Sequence, residues 1–281
     1  MKDLEISYCT HNELPSVKEL WKNVFGDDEI FINQFFYHLY QDNILIGKVK
    51  NEIIAMATLL PATIILEGKE YDIRYVYACA TLPRFRGKKI MSKILDKAFE
   101  NTVNRREIGL FLLPANAQLY DFYKKNGFKE FFYHNEQHFF LSDFVEKKCD
   151  TYTMQKITAE KYYSLRHTYL QNEGTIHYPL SHFQFVDDAK INYPAQFYEI
   201  LCAGKNVAIG FIEKNIDNIL AREFLCKEFD MKILYVISQH FEHERITLYT
   251  PGKIYRDAML RSEKNAFFEK GVVGYFNMAL Q

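Results

Sequence analysis

Apolar positions near the start of the chain recur at helical spacing. Val17, Leu20, Trp21 and Val24 share one face, and Phe31, Phe35, Phe36 and Leu39 share a second after the Gly26-Asp27-Asp28 break, which predicts two amphipathic helices. From Ile44 the rhythm becomes extended. Ile44 to Val49, Ile53 to Leu66 and Ile73 to Thr81 read as strands, separated by hairpin-like breaks at Lys50-Asn51 and Glu67-Gly68-Lys69. Helical spacing returns from Ile90 to Asn104, followed by an apolar strand, Gly109 to Ala115, and a helix, Asn116 to Asn126, closed by Gly127. Phe128 to Phe132 and Gln137 to Leu141 are expected to pair as closing strands, which completes a mixed sheet with helices on its faces.

The remainder repeats that order although its residues do not repeat. Thr158 to Gln171 reads as a helix behind a Thr cap, and a second helical stretch follows Pro179. Phe197 to Leu201, Val207 to Glu213 and Ile219 to Cys226 read as strands, Met231 to Phe241 as a helix and Arg245 to Thr250 as a strand. Ala266 to Leu280 carries Gly271-Val272-Val273-Gly274 between two expected aromatic-rich strands. Two copies of one α/β (α+β) arrangement are therefore expected, residues 1–147 and 153–281, joined near Glu146 to Thr153.

At 281 residues the chain has room for two such units, and 48% hydrophobic with 16% aromatic residues supplies their cores. A net charge of -1 provides no global field for nucleic acid or an anionic membrane, so any basic site must be local. The N-terminal MKDLEISYCTHNELP lacks an apolar signal core, and no apolar run is long enough to span a bilayer, so a cytoplasmic location is the default expectation. Cys9, Cys79, Cys149, Cys202 and Cys226 are odd in number and widely spaced, which supports reduced thiols rather than a disulfide framework or zinc ribbon.

One local site stands out. In YVYACATLPRFRGKKIMSKIL, Tyr75 to Leu95, a strand enters a Pro-Arg-Phe-Arg-Gly-Lys-Lys turn and then a helix. Free backbone N–H groups and the positive end of the helix dipole collect at such a handover, where they suit a phosphate or pyrophosphate. Arg84, Arg86, Lys88 and Lys89 add four cations. The corresponding handover in the second half, Leu225-Cys226-Lys227-Glu228-Phe229-Asp230, is acidic and has no Gly, so only one copy is expected to carry chemistry.

With these motifs the first half resembles the GNAT superfamily of acyl-CoA-dependent N-acetyltransferases. The tandem layout is similar to its two-copy branch, which includes the enhanced-intracellular-survival type. The resemblance covers Leu4 to Phe140 in detail and rests on element order beyond that. It implies two tandem GNAT-like domains, each a mixed, mostly antiparallel sheet flanked by helices, the second degenerate. The family's pyrophosphate motif aligns with Arg86, Gly87, Lys88, Lys89, Ile90 and Met91, with Lys89 and Met91 at positions that are usually small. By the same resemblance Cys79, Ala80 and Thr81 would pair through their backbone with pantetheine, and Asn116 would touch the pantetheine arm. Tyr123, four residues before Gly127-Phe128, would be the general acid that protonates the departing thiolate.

The resemblance implies an enzyme: a transferase that moves an acetyl group from acetyl-CoA to a primary amine of a small molecule or peptide by direct attack. A catalytically inactive acyl-CoA-binding or assembly module is the alternative, supported by Lys89 and Met91. Cys79 as a ping-pong nucleophile is disfavoured, because no His lies near it in sequence. No carboxylate lies within the strand from Ile73 to Thr81, so Asp72, Glu67, Glu70 or a water chain are the candidates for general base. His134 with His138, and His240 with His243, lack a Cys or carboxylate at ligand spacing. No metal, nucleic-acid or membrane partner is expected, and a homo-oligomer is compatible with the sequence.

Overall fold

The computed structural model describes residues 3–143, 151–189, 194–264, 268, 271–278 and 280. In chain order its elements are β1 (Leu4–Tyr8), α1 (Leu14–Phe25), α2 (Glu29–Leu39), β2 (Ile44–Val49), β3 (Glu52–Leu66), β4 (Lys69–Thr81), α3 (Ile90–Asn104), β5 (Gly109–Leu112), α4 (Ala117–Lys125), β6 (Lys129–Glu130) and β7 (Tyr133–Phe140). They continue with β8 (Tyr152–Lys156), α5 (Ala159–Tyr169), β9 (Ile176–His177), α6 (Leu180–Asp188), β10 (Gln196–Cys202), β11 (Lys205–Lys214), β12 (Ile219–Cys226), α7 (Met231–Phe241), β13 (Arg245–Pro251), β14 (Tyr255–Arg256) and β15 (Met259–Ser262). The joint expected near Glu146 to Thr153 falls largely outside the described residues, as does Cys149.

The helices start and stop where the residues direct. Gly26, at φ +79°, ends α1 in the left-handed region and returns its N–H to Lys22 O. The Asp28 carboxylate then caps α2 by accepting from Phe31 N at 2.7 Å. In the second half Thr158 caps α5 through Lys161 N, as its position predicts.

Two mixed sheets result. The first runs β1-β2-β3-β4-β5-β15-β6, with β9 also on β3, and the second runs β14-β7-β13-β12-β11-β10-β8. Each half gives a strand to the other. β7 pairs antiparallel with β13 over seven residues, from Arg245 opposite Phe140 to Pro251 opposite His134. β15 inserts between β5 and β6, with Met259 opposite both Leu112 and Glu130. A Cβ on Gly109 would stand 2.2 Å from Arg261 O, so only glycine admits the incoming strand at that point. The closing pair expected from Phe128 to Leu141 therefore does not form, because its two members lie in different sheets. The aromatic-rich strands expected in 266–280 are also not seen among the described residues; Gly274 and Tyr275 make isolated bridges to Phe132 and Thr175.

One apolar cluster spans both halves. Phe35 meets Phe185 edge-on at 5.6 Å between ring centroids, and Phe111 meets Phe132 and Phe276 at 5.5 and 6.4 Å. In the second half Arg166 and Glu223 form a fully buried bidentate pair with bonds of 2.9 and 3.1 Å, and Tyr162 donates to the same carboxylate. No helix among the described residues is long and apolar enough to cross a membrane.

Candidate active site

β4 and β5 run parallel but share only two register pairs, Arg74 with Leu110 and Tyr75 with Phe111. Two sequence features separate them. Pro114, just past β5, lacks a backbone donor and restricts Leu113 before it, so the ladder cannot continue. On β4 the register against β3 slips between Met56 and Thr58, and Ala78 takes φ +51°. This is a bulge, which bends the strand and leaves backbone groups without ladder partners. Past Tyr75, β4 has no partner on its β5 side among the described residues. An open parallel edge within a sheet is a template for an extended ligand.

The gap opens into a cavity of about 630 Å³. Tyr77, Ala78 and Cys79 form its β4 wall and Leu113, Pro114 and Ala115 the opposite one; Leu119 and Tyr123 of α4 line it, as do Trp21 and Phe25 of α1, Phe31 of α2 and Asp27 between those helices. Leu280 lines it too, its carbonyl accepting from Tyr75 Oη at 3.1 Å. Tyr123 is 7% exposed and lies beside the Cys79 thiol. Burial, and then Cys79 beside it, holds the Tyr123 phenol well above its ordinary range, so it stays protonated. Burial likewise pushes the Cys79 thiol up to about 12, which removes the thiolate a ping-pong route would need.

The basic turn follows the end of β4 and is mostly exposed; its residues do not line the cavity. Gly87 has φ +76° and Lys89 φ +57°, so two left-handed residues turn the backbone into α3. Lys89 is the N-cap residue but supplies no side-chain cap, and no acid occupies the first turn. The first helical bond is Lys93 N to Lys89 O, which leaves the Ile90, Met91 and Ser92 amides at the free end. Met91 packs partly against the apolar cluster under the sheet, and the Lys89 side chain is exposed. Arg84 pairs with Glu52, and Arg86 Nε donates to Thr81 O at 3.1 Å, fastening the turn to the end of β4. Asn116 caps α4 by accepting from Leu119 N at 3.2 Å.

The second half reads differently at the equivalent handover. Asp230 Oδ1 accepts from Lys232 N at 3.0 Å and Oδ2 from Tyr152 Oη at 2.9 Å, so a carboxylate of the chain already fills the N-terminus of α7. An incoming anion would meet a negative charge there.

Among the base candidates, Asp72, Glu67 and Glu70 are exposed and do not line the cavity. The carboxylate that does is Asp27, which sequence reasoning treated as part of a helix break. Its signal was the doubled acid: Asp28 suffices as the cap of α2, which leaves Asp27 without a structural task at that end. His134 is held by Asp257 Oδ2 at 2.6 Å and Glu136 Oε1 at 3.2 Å.

A family model for the acetyltransferase (GNAT) domain matches residues 5–131. Residues 5–131 are a GNAT acetyltransferase domain. A search of curated proteins finds no match to the chain. Among solved structures, an Enterococcus faecalis V583 protein described as a probable N-acyltransferase superposes with TM-score 0.77 at 14% identity, covering 94% of this chain and 74% of its own. A GCN5-related N-acetyltransferase from Anabaena variabilis gives TM-score 0.75 at 12% identity, with 92% and 72% coverage. Eis1 from Mycobacterium abscessus gives 0.68 at 11% identity, with 92% and 73% coverage. These likenesses extend the shared fold over both halves, as the tandem reading expects.

Proposed function

We propose that this GNAT enzyme transfers an acetyl group from acetyl-CoA to a primary amine by direct attack in the gap between β4 and β5. The carrying observation is the conjunction of an open β4 edge, a protonated tyrosine in the cavity beside it and an uncapped α3 N-terminus just past the end of β4. The pyrophosphate sits on the amides from Gly87 to Met91, with Arg86, Lys88 and Lys89 around it. Pantetheine extends along Cys79, Ala80 and Thr81 as an added strand, passing Asn116. The thioester carbonyl meets backbone donors freed by the bulge at Ala78. The amine nitrogen bonds to the carbonyl carbon, the C–S bond breaks, and Tyr123 gives its proton to the thiolate. Asp27 attracts the ammonium form of the acceptor and takes one proton from it, which frees the attacking lone pair; the second N–H proton, lost as the amide forms, restores Tyr123. Residues 1–147 carry this chemistry, and 153–281 complete the core and the acceptor wall.

Calorimetric titration with acetyl-CoA, combined with thiol release over a panel of primary amines, tests the reading. One acetyl-CoA should bind per chain and thiol should appear only with an amine. Absence of binding would remove the proposal, and binding without turnover on any amine would favour an inactive acyl-CoA binder.

A further inference from the structure

The two halves meet a second time at the far end of the β3–β4 hairpin. There one ligand atom each from Glu70, His167 and His177 lies within 4.8 Å of the other two. Glu70 comes from β4, His167 from α5 and His177 from β9, whose register places it opposite Thr63 of β3. We propose that these three side chains form a zinc-class divalent metal site that ties the hairpin of the first half to the second.

His177 carries the argument. It is 3% exposed, yet neither ring nitrogen makes a hydrogen bond. A buried imidazole without partners is destabilising, so its retention calls for a ligand. The Leu170 backbone lies beside the ring and is suited to take the proton of one nitrogen, which leaves the other as a metal donor. The second imidazole is adjacent: His167 stacks on His177 at 4.1 Å between centroids, so its ring must turn before both rings can face one ion. Glu70 supplies the anion, and Thr63 Oγ1 donates to its Oε2 at 3.1 Å, a bond that orients ligating carboxylates. Tetrahedral bonds of about 2.0–2.1 Å need ligand atoms closer than they stand now. The exposed Glu70 and half-buried His167 can turn to provide that.

The surroundings permit the charge. The Arg166 charge next to His177 disfavours a cation there, an effect that its buried pairing with Glu223 reduces. The hairpin itself is anchored by Glu173, whose two oxygens accept from Glu67 N and Gly68 N at 2.8 Å each, so Glu70 is held beside the histidines. Two imidazoles and one carboxylate with an open position suit Zn²⁺, and they would accept Co²⁺ as a spectroscopic substitute.

Full-length protein stripped with a chelator and titrated with Zn²⁺ against a chromophoric competitor tests the site. One ion should bind per chain, and Co²⁺ should give visible d–d bands typical of four coordination. His177→Ala should lower affinity by more than the about 10–100-fold typical of an outer-shell loss. Glu70→Gln and His167→Ala, at exposed and half-exposed positions, keep the test valid should His177→Ala fail to fold. His138→Ala should bind like wild type. No stoichiometric binding to the wild-type chain, or binding unchanged in both Glu70→Gln and His167→Ala, would overturn the proposal.

Discussion

The indole nitrogen of Trp21 donates a 2.7 Å hydrogen bond to Oδ2 of Asp27, and both residues line the cavity that Tyr123 enters from the opposite side. The bond fixes the carboxylate in an aromatic wall where a primary ammonium would be held by charge and by ring faces. Asp27→Asn keeps the bond from Trp21 and removes the charge. It should reduce kcat/KM for the amine by about 10²-fold with little change for acetyl-CoA. Steady-state kinetics with each substrate varied in turn checks this, and an equal loss for both would remove the role.

Gly87 tests the turn. Its φ of +76° is strained for any side chain, while a Cβ there would meet nothing within 4 Å. Gly87→Ala should therefore cost about 1 kcal/mol locally, without a clash. Its expected effect is a KM for acetyl-CoA raised several-fold at unchanged kcat. An unaltered KM would show that the turn does not hold the pyrophosphate.

The sequence made the individual elements legible but not their exchange between sheets. The periodicities of α1 to α4 follow from burial of one face, and the strands from Ile44 to Leu66 from continuous apolar runs buried on both faces; each is a local property. The exchange of β7 and β15 is not local. β15 is four residues long, and nothing in Met259 to Ser262 announces that it enters next to Gly109. The basic turn and Tyr123 were legible because their chemistry is contiguous in sequence. Asp27 was not, since its task is defined only when β4 and β5 part about fifty residues later.

Glu223 tests the buried network that supports the second half. Replacing it by Gln leaves the Arg166 guanidinium, 1% exposed, without a counter-charge. Loss of one partner of a buried pair costs about 3–5 kcal/mol. Chemical denaturation of Glu223→Gln should show a destabilisation of that order, and a loss below 1 kcal/mol would contradict the assignment.

His182 makes the fold acid-sensitive. Burial pushes its imidazole down to about 4, its Nε2 bonds Met278 O at 2.7 Å, Tyr178 stacks on the ring and the nearby Arg166 charge opposes protonation. Unfolded, the ring titrates at about 6.5. Between the two values the unfolded chain binds a proton that the folded chain refuses, so this group loses stability as pH falls from about 6.5 to 4, by on the order of 3 kcal/mol. His182→Gln, which keeps a donor for Met278 O, should lessen the slope over that window and leave the share of His177, which burial pushes down to about 3; a slope equal to wild type would exclude His182 as a source.

The central claim rests on Tyr123 as the proton donor in an acetyl-CoA site. Its most direct test is to measure turnover and acetyl-CoA dissociation constant side by side for wild type and Tyr123→Phe. Loss of a positioned acid predicts kcat lower by about 10²-fold or more with the dissociation constant unchanged. Equal turnover in the two proteins, or failure of the wild-type chain to bind acetyl-CoA, would contradict it.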